Sequence, residues 1–223
     1  MEKVSAAGFQ VHVHAIGDRA VRVALDSFAR LPAGQRRQRR HTIAHLQLVD
    51  PVDLPRFSQL EVIPNVQAFW AQADETVRDF SNPLLGWPRA DRQYPLRDLF
   101  AGGLVAAGSD WSVTTPDPLQ AISVAVTRRA PGTSDSAWIP EQRVEVEQML
   151  AAYTCNGAFL NHCEQERGSL EVGKAADLVV LSHNLLEIPA SLLDQAEVLL
   201  TMFEGRVVYK SQGETWASEN VSR

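Results

Sequence analysis

Three predicted strands of this sequence end in side chains that can bind a divalent metal. His14 ends the first strand, His45 ends the second, and Asp110 ends the fourth. Imidazole nitrogen and carboxylate oxygen together suit Zn²⁺ or a similar divalent ion. Such an ion lowers the pKa of a coordinated water and supplies hydroxide near neutral pH. A carboxylate beside that water, here Asp110, can take its proton and pass it to a leaving group, which predicts hydrolytic chemistry.

Other polar and aromatic side chains fall at the same strand ends or in the loops beside them. We expect five of them to line a substrate pocket: Gln47, Gln67, Trp70, Arg89 and Trp111. His12 shares a strand face with His14 but lies about 6.6 Å back along the strand, so we expect it to stay outside the metal site. The other histidines lie outside the strand-end pattern and are interpreted as structural or solvent-facing.

Each of these residues also has a plainer interpretation. A single strand histidine is commonly a hydrogen-bonded core residue, and an aspartate after Gly108-Ser109 can tie a turn. The loop tryptophans can be loop packing, and Arg89 can be a solvated surface residue. The three residues together are a more specific signal than any one of them, because three metal-binding side chains occupy the same end of successive strands.

Strands and helices alternate through most of the chain. Strands are predicted over 8–16, 42–47, 62–67 and 104–110, and helices over 19–30, 51–60, 96–101, 118–129 and 144–160. A long irregular stretch, 68–95, separates the third strand from the next helix, and a small β-rich tail follows the last helix. This order predicts an α/β fold with a parallel sheet, whose active site forms at the carboxyl ends of the strands.

Composition excludes several functional classes. The 223 residues carry 21 Lys plus Arg against 27 Asp plus Glu, a net charge of −6, which disfavours binding to nucleic acid or to an anionic membrane. The basic run Arg36–Arg40 is interpreted as a solvated turn. Cys155 and Cys163 are predicted to be free thiols in a reducing compartment. Without a recognisable signal peptide or membrane span, we expect a cytoplasmic protein.

Several motifs together resemble the amidohydrolase superfamily. They are His14-Ala-Ile-Gly-Asp18-Arg-Ala20, Ile43-Ala-His45-Leu-Gln47, Gly108-Ser-Asp110-Trp111, Asp117-Pro-Leu119, Tyr153-Thr-x-Asn156, and the stretch from Gly168 to Leu181. The branch they resemble is the YtcJ-like, or amidohydrolase type 3, group related to N-substituted formamide deformylase. The resemblance extends over almost the whole chain.

This resemblance implies a fold and a set of residue roles. The fold is a distorted (β/α)8 TIM-type barrel with a metal centre and a small β-sandwich. By position, His14 and His45 match the metal ligands on strands five and six. Asp110 matches the strand-eight aspartate, which binds metal and shuttles the proton, and His45 could also polarise the carbonyl oxygen. The family's first-strand His-x-His pair and its strand-four ligand have no counterpart here.

We therefore expect a partial (β/α)8 barrel of strands five to eight over residues 1–163. Residues 164–223 are predicted to be the C-terminal part of the composite β-sandwich. The expected function is metal-dependent hydrolysis of carbon–nitrogen bonds in non-peptide amides, with Zn²⁺ as the default metal. Two alternatives remain open, an inactive truncated remnant that self-associates, and one subunit of a split amidohydrolase. We expect a homo-oligomer or pairing with a missing N-terminal half.

Overall fold

A four-stranded parallel sheet organises the first half of the chain in the computed structural model, which describes residues 1–212. Its strands run in spatial order β1 (His12–Ala15), β2 (Thr42–His45), β3 (Ile63–Val66) and β4 (Ala106–Ala107). All three neighbouring pairs are parallel. The sheet confirms the predicted α/β class and places the carboxyl ends of all four strands at the same edge. No helix of residues 1–212 is both long and apolar enough to cross a membrane.

Nine α-helices accompany the strands in this part of the chain. They are α1 (Glu2–Ala6), α2 (Asp18–Ala29), α3 (Ala33–Arg39), α4 (Leu54–Gln59), α5 (Asn82–Leu85), α6 (Leu96–Ala101), α7 (Pro118–Thr127), α8 (Val146–Tyr153) and α9 (Cys155–Leu160). Short 3-10 helices cover Ala68–Trp70, Ala90–Arg92, Pro140–Gln142 and Ala190–Gln195, and a π-helical turn covers Val77–Ser81.

Apolar spacing explains how α2 packs against the sheet. Val21, Leu25 and Phe28 are three or four residues apart, so they share one helical face. All three are fully buried, in the same core cluster as Ile43 on β2. Packing of this kind fixes α2 behind β1 and β2, which in turn fixes the direction in which both strands end.

Several predicted element boundaries differ from the structure. The fourth strand, predicted over 104–110, covers only Ala106–Ala107, so Asp110 lies in the turn after it. The basic run lies in helix α3 and not in a turn, because Pro32 starts a segment of the good helix formers Gln and Arg. Helix α4 begins at Leu54 instead of residue 51, with the buried Asp53 carboxylate held by Arg22 and Arg56 at 2.8 Å each. The predicted helix over 144–160 breaks into α8 and α9 at Thr154, whose backbone leaves the helical region.

The tail forms a separate antiparallel sheet of β5 (Leu178–Leu181), β6 (Val198–Phe203) and β7 (Arg206–Lys210), in that order. β6 and β7 form a hairpin that turns at Glu204-Gly205, and both residues have the positive φ that a tight hairpin turn requires. Leu185 and Leu193 pack with Leu119 of α7, so the tail shares buried apolar surface with the first part of the chain. Residues 213–223 of the predicted tail domain lie outside the described residues.

His41 is a structural histidine, as predicted, and joins α1 to the start of β1. The Val11 N–H donates to His41 Nδ1 at 3.0 Å, so the ring proton is on Nε2, which lies 3.2 Å from Ser5 Oγ. The ring is fully buried and stacks on Phe28 with centroids 5.1 Å apart. Burial and then the nearby Arg39 charge lower the pKa of His41 below its usual range.

This lowered pKa predicts a loss of stability in mild acid. The unfolded chain takes up a proton near pH 6.5 that the folded His41 resists, so the free energy of unfolding falls as the pH drops below about 6.5. His41→Asn keeps an acceptor for Val11 and removes the titration. We expect a smaller slope of unfolding free energy between pH 6.5 and 5 for H41N than for the wild type, measured by urea denaturation. The exposed His183→Asn should keep the wild-type slope, and equal slopes for H41N and wild type would contradict the assignment.

Candidate active site

A cavity of 390 Å³ opens at the carboxyl end of the parallel sheet and contains the three predicted metal-binding side chains, His14, His45 and Asp110. Its other walls come from the segments that follow the strands and from the irregular stretch after β3. They are Ile16, Gln47, Trp70, Asp74, Thr76, Val77, Ser81, Tyr94 and Val113. The three side chains that the sequence singled out at strand ends therefore line one cavity.

His14 and His45 are direct neighbours in this cavity. They lie on adjacent strands, and their ring centroids are 4.3 Å apart in an edge-to-face arrangement. His14 is exposed on the edge strand β1, whereas His45 is half-buried at the end of β2. Two imidazoles this close can present nitrogen atoms to a single ligand.

The backbone at the ends of β2 and β4 is in an unusual conformation. His45, Leu46 and Asp110 have φ values of 75°, 56° and 59°, in the left-handed region that non-glycine residues seldom adopt. Residues held in this region commonly cluster at functional sites, where the surrounding structure imposes the conformation. The left-handed turn at His45 takes its side chain out of the regular alternation of β2.

Burial favours the neutral form of the His45 imidazole. Loss of solvent is the main reason that the pKa of His45 lies below its usual range. Repulsion from His14 lowers the His45 pKa further, and the Asp110 carboxylate opposes that shift. The pKa of His12 is also lowered, by burial and then by His14. Neutral imidazole is the form that coordinates metal ions.

The predicted three-ligand centre is only partly assembled. Among residues 1–212, no group of three or more His, Cys, Asp or Glu side chains is close enough to hold a metal ion. The donor chemistry of the two imidazoles fits two adjacent ligand positions of a divalent metal. Asp110 shares their cavity without completing the cluster.

Two of the five predicted substrate-binding residues line the cavity, Gln47 and Trp70. The other three are placed differently. Gln67 is 5% exposed, and its amide bonds to protein atoms. Arg89 donates to both carboxylate oxygens of Asp18, at 2.9 and 3.0 Å. Trp111 is 70% exposed to solvent.

Asp18 follows Gly17 in the first motif, and its sequence context predicts an N-cap for a helix beginning at Arg19; the structure places the cap one residue earlier. Helix α2 begins at Asp18 with Gly17 as its N-cap, and the carboxylate accepts a hydrogen bond from the adjacent Arg19 N–H. Together with Arg89, Asp18 ties the irregular stretch to the first turn of α2.

Sequence reasoning missed the support behind the cavity wall. Tyr94 lines the cavity, and the fully buried Gln93 accepts a hydrogen bond from Gln47 at 2.7 Å. Arg128, also fully buried, donates to the carbonyl oxygens of Gln93, Tyr94 and Trp138. Burial lowers the pKa of Arg128 to about 10 and raises that of Tyr94 above its usual range. The 34 residues that separate Tyr94 from Arg128 gave no local signal of this contact.

Comparison with known proteins agrees with this geometry. Protein LONG AFTER FAR-RED 3 of Arabidopsis thaliana is 37% identical over 207 residues, covering 91% of this chain and 34% of that protein. The putative amidohydrolase YtcJ of Bacillus subtilis (strain 168) is 28% identical over 218 residues, covering 94% and 39%. An uncharacterized metal-dependent hydrolase from Pyrococcus furiosus is 29% identical, with a TM-score of 0.62 over 78% of this chain and 34% of that structure.

The chain thus spans between a third and two fifths of the length of these relatives. A model of the amidohydrolase family matches residues 1–209, nearly all of the 223. The order of His14, His45, Asp110 and the tail motif had indicated the same relationship. The chain belongs to the amidohydrolase family.

Proposed function

We propose that this chain carries part of the active site of a metal-dependent hydrolase that cleaves carbon–nitrogen bonds in non-peptide amides. The observation that carries the proposal is the pair of imidazoles, His14 and His45, whose ring centroids lie 4.3 Å apart in the cavity that Asp110 also lines. Family membership and the metal-dependent hydrolase among the similar structures support it.

The fold is consistent with a partial barrel. Its four parallel strands would be strands five to eight of a (β/α)8 barrel, and the sheet of β5, β6 and β7 would be part of a composite β-sandwich. In such barrels, catalytic side chains project from the carboxyl ends of the strands, which is where His14, His45 and Asp110 lie.

Each side chain has a distinct role in the proposed reaction. His14 and His45 would hold a divalent metal, with Zn²⁺ as the default from their chemistry. A bound metal supplies the Lewis acidity that makes water nucleophilic near neutral pH. The Asp110 carboxylate would accept the proton of the attacking water and return it to the leaving nitrogen. Gln47, Trp70 and Tyr94 would orient an amide substrate.

Zinc titration of the purified chain tests the metal site. We expect weak binding, because two imidazoles and a more distant carboxylate leave the donor set incomplete. His14→Ala and His45→Ala should each weaken zinc affinity at least about tenfold in calorimetry, since each removes one of two adjacent ligands.

His183→Ala is the matched control, because it removes an exposed histidine of the tail. It should leave zinc affinity unchanged. Equal zinc affinities for the wild type, H14A and H45A would refute the assignment of the metal site to this pair.

A further inference from the structure

Gln67 has two hydrogen bonds that use both ends of its amide. Its Oε1 accepts the backbone N–H of His45 at 2.8 Å, and its Nε2 donates to Asn65 Oδ1 at 2.9 Å. The side chain is 5% exposed, so solvent offers little replacement for either bond. Both ends of the Gln67 amide are therefore bonded within the protein, and Gln67 is not among the residues that line the cavity.

The backbone of His45 depends on such a partner. With φ at 75°, His45 departs from the extended conformation of β2, and its N–H bonds to a side chain. A buried N–H without a partner is costly, and a left-handed non-glycine residue is itself unfavourable. The acceptor on Gln67 therefore offsets part of the cost of the conformation that turns the His45 side chain into the cavity.

The orientation of the Gln67 amide is set from the other side. Asn65 lies two residues earlier, on the same face of β3, and its Oδ1 accepts from Gln67 Nε2. This bond leaves Oε1 directed at His45. Gly108, which begins the turn leading to Asp110, lies beside the same pair, because a Cβ at Gly108 would be 3.5 Å from Asn65 Oδ1 and 3.7 Å from Gln67 Nε2.

We propose that Gln67 is a positioning residue that fixes the imidazole of His45 in the candidate active site by holding the left-handed His45 backbone. The effect of Gln67 on metal binding rests on the proposed function. Its effect on the position of the His45 ring rests only on the geometry of residues 45, 65 and 67. Gln67 acts through His45 and contacts neither metal nor substrate.

Histidine side-chain NMR on the full chain tests this role. The His45 ring resonance is assigned from its loss in His45→Gln. Gln67→Met removes both hydrogen bonds, and Gln72→Met is the matched control. Gln72 is also buried, and its Nε2 donates to the Phe69 carbonyl at 2.8 Å.

We expect Q67M to shift the His45 resonance and to weaken zinc affinity about tenfold, as removal of groups that orient a ligand does. Q72M should change neither.

Gln67→Glu keeps an acceptor for the His45 N–H but loses the bond to Asn65, so it should shift the His45 resonance less than Q67M does. This second variant keeps the proposal testable if the Q67M chain fails to fold. An unshifted His45 resonance in folded Q67M, or equal shifts in Q67M and Q72M, would overturn the proposal. The His45 resonance can be measured without any enzymatic activity. The role of Gln67 can therefore be contradicted without contradicting the proposed hydrolase function, and the reverse. A chain that binds no zinc but shows the specific shift contradicts the proposed function alone.

Discussion

Replacing Gly168 with alanine is expected to destabilise the folded chain by about 3–5 kcal/mol, combining overpacking with a left-handed backbone. Gly168 has φ +92°, and a Cβ there would lie 2.5 Å from Ala158 Cβ, 3.1 Å from Cys155 Cα and 3.2 Å from the Thr154 carbonyl oxygen. None of these atoms can rotate away, because they belong to the backbone and first side-chain carbon at the start of α9. The chain after α9 can pass this helix only without a side chain at residue 168.

Gly173→Ala separates the two contributions. Gly173 has a similar φ of +97°, but nothing lies within 4 Å of its Cβ position. Its alanine variant should therefore lose only the backbone part, about 1–2 kcal/mol. Urea denaturation of both variants measures the difference, and equal losses for G168A and G173A would contradict the predicted contact with α9.

Arg128→Met is the second large effect that we expect, a loss of about 3 kcal/mol or more. Arg128 is 0% exposed and donates to the carbonyl oxygens of Trp138, Tyr94 and Gln93 at 2.9, 3.0 and 3.3 Å. Methionine fills a similar volume but removes the donor of the Trp138 and Gln93 carbonyls, whereas the Tyr94 carbonyl keeps the Leu96 N–H at 2.7 Å. Each buried unpaired group costs about 1–3 kcal/mol. Since Tyr94 lines the cavity, the variant should also loosen the wall of the candidate active site.

Arg97→Met provides the comparison for Arg128. Arg97 is exposed and pairs with its neighbour Asp98 at 2.9 Å, an arrangement that contributes at most about 1 kcal/mol. Thermal unfolding followed by circular dichroism should show a much larger decrease in midpoint for R128M than for R97M. Similar midpoints would mean that the Trp138 and Gln93 carbonyl groups find other donors and that Arg128 is dispensable.

The sheet and the position of the site could be predicted because their signals are local. Each strand is a short apolar run, and the residues that end them, His14, His45 and Asp110, are visible without knowledge of the fold. Parallel pairing then brings the strand ends together by geometry alone. The helix boundaries at Pro51 and Thr154 were missed because buried ion pairing and backbone geometry, and not propensity, decide them.

Contacts between distant residues explain the remaining differences. Gln67, Arg89 and Trp111 all follow strands and have side chains suited to binding, but tertiary partners decide what each does. Arg89 pairs with Asp18 across 71 residues, and Gln67 reaches His45 across 22.

The left-handed backbone at His45 sets stability and chemistry against each other. Glycine or asparagine adopts a φ near 75° more readily than histidine does, so either residue would suit the turn better. Selection of variants for thermal stability alone would therefore favour replacing His45, and with it half of the imidazole pair. If histidine stayed at position 45 under such selection, its ring would have to contribute more stability than the left-handed backbone costs.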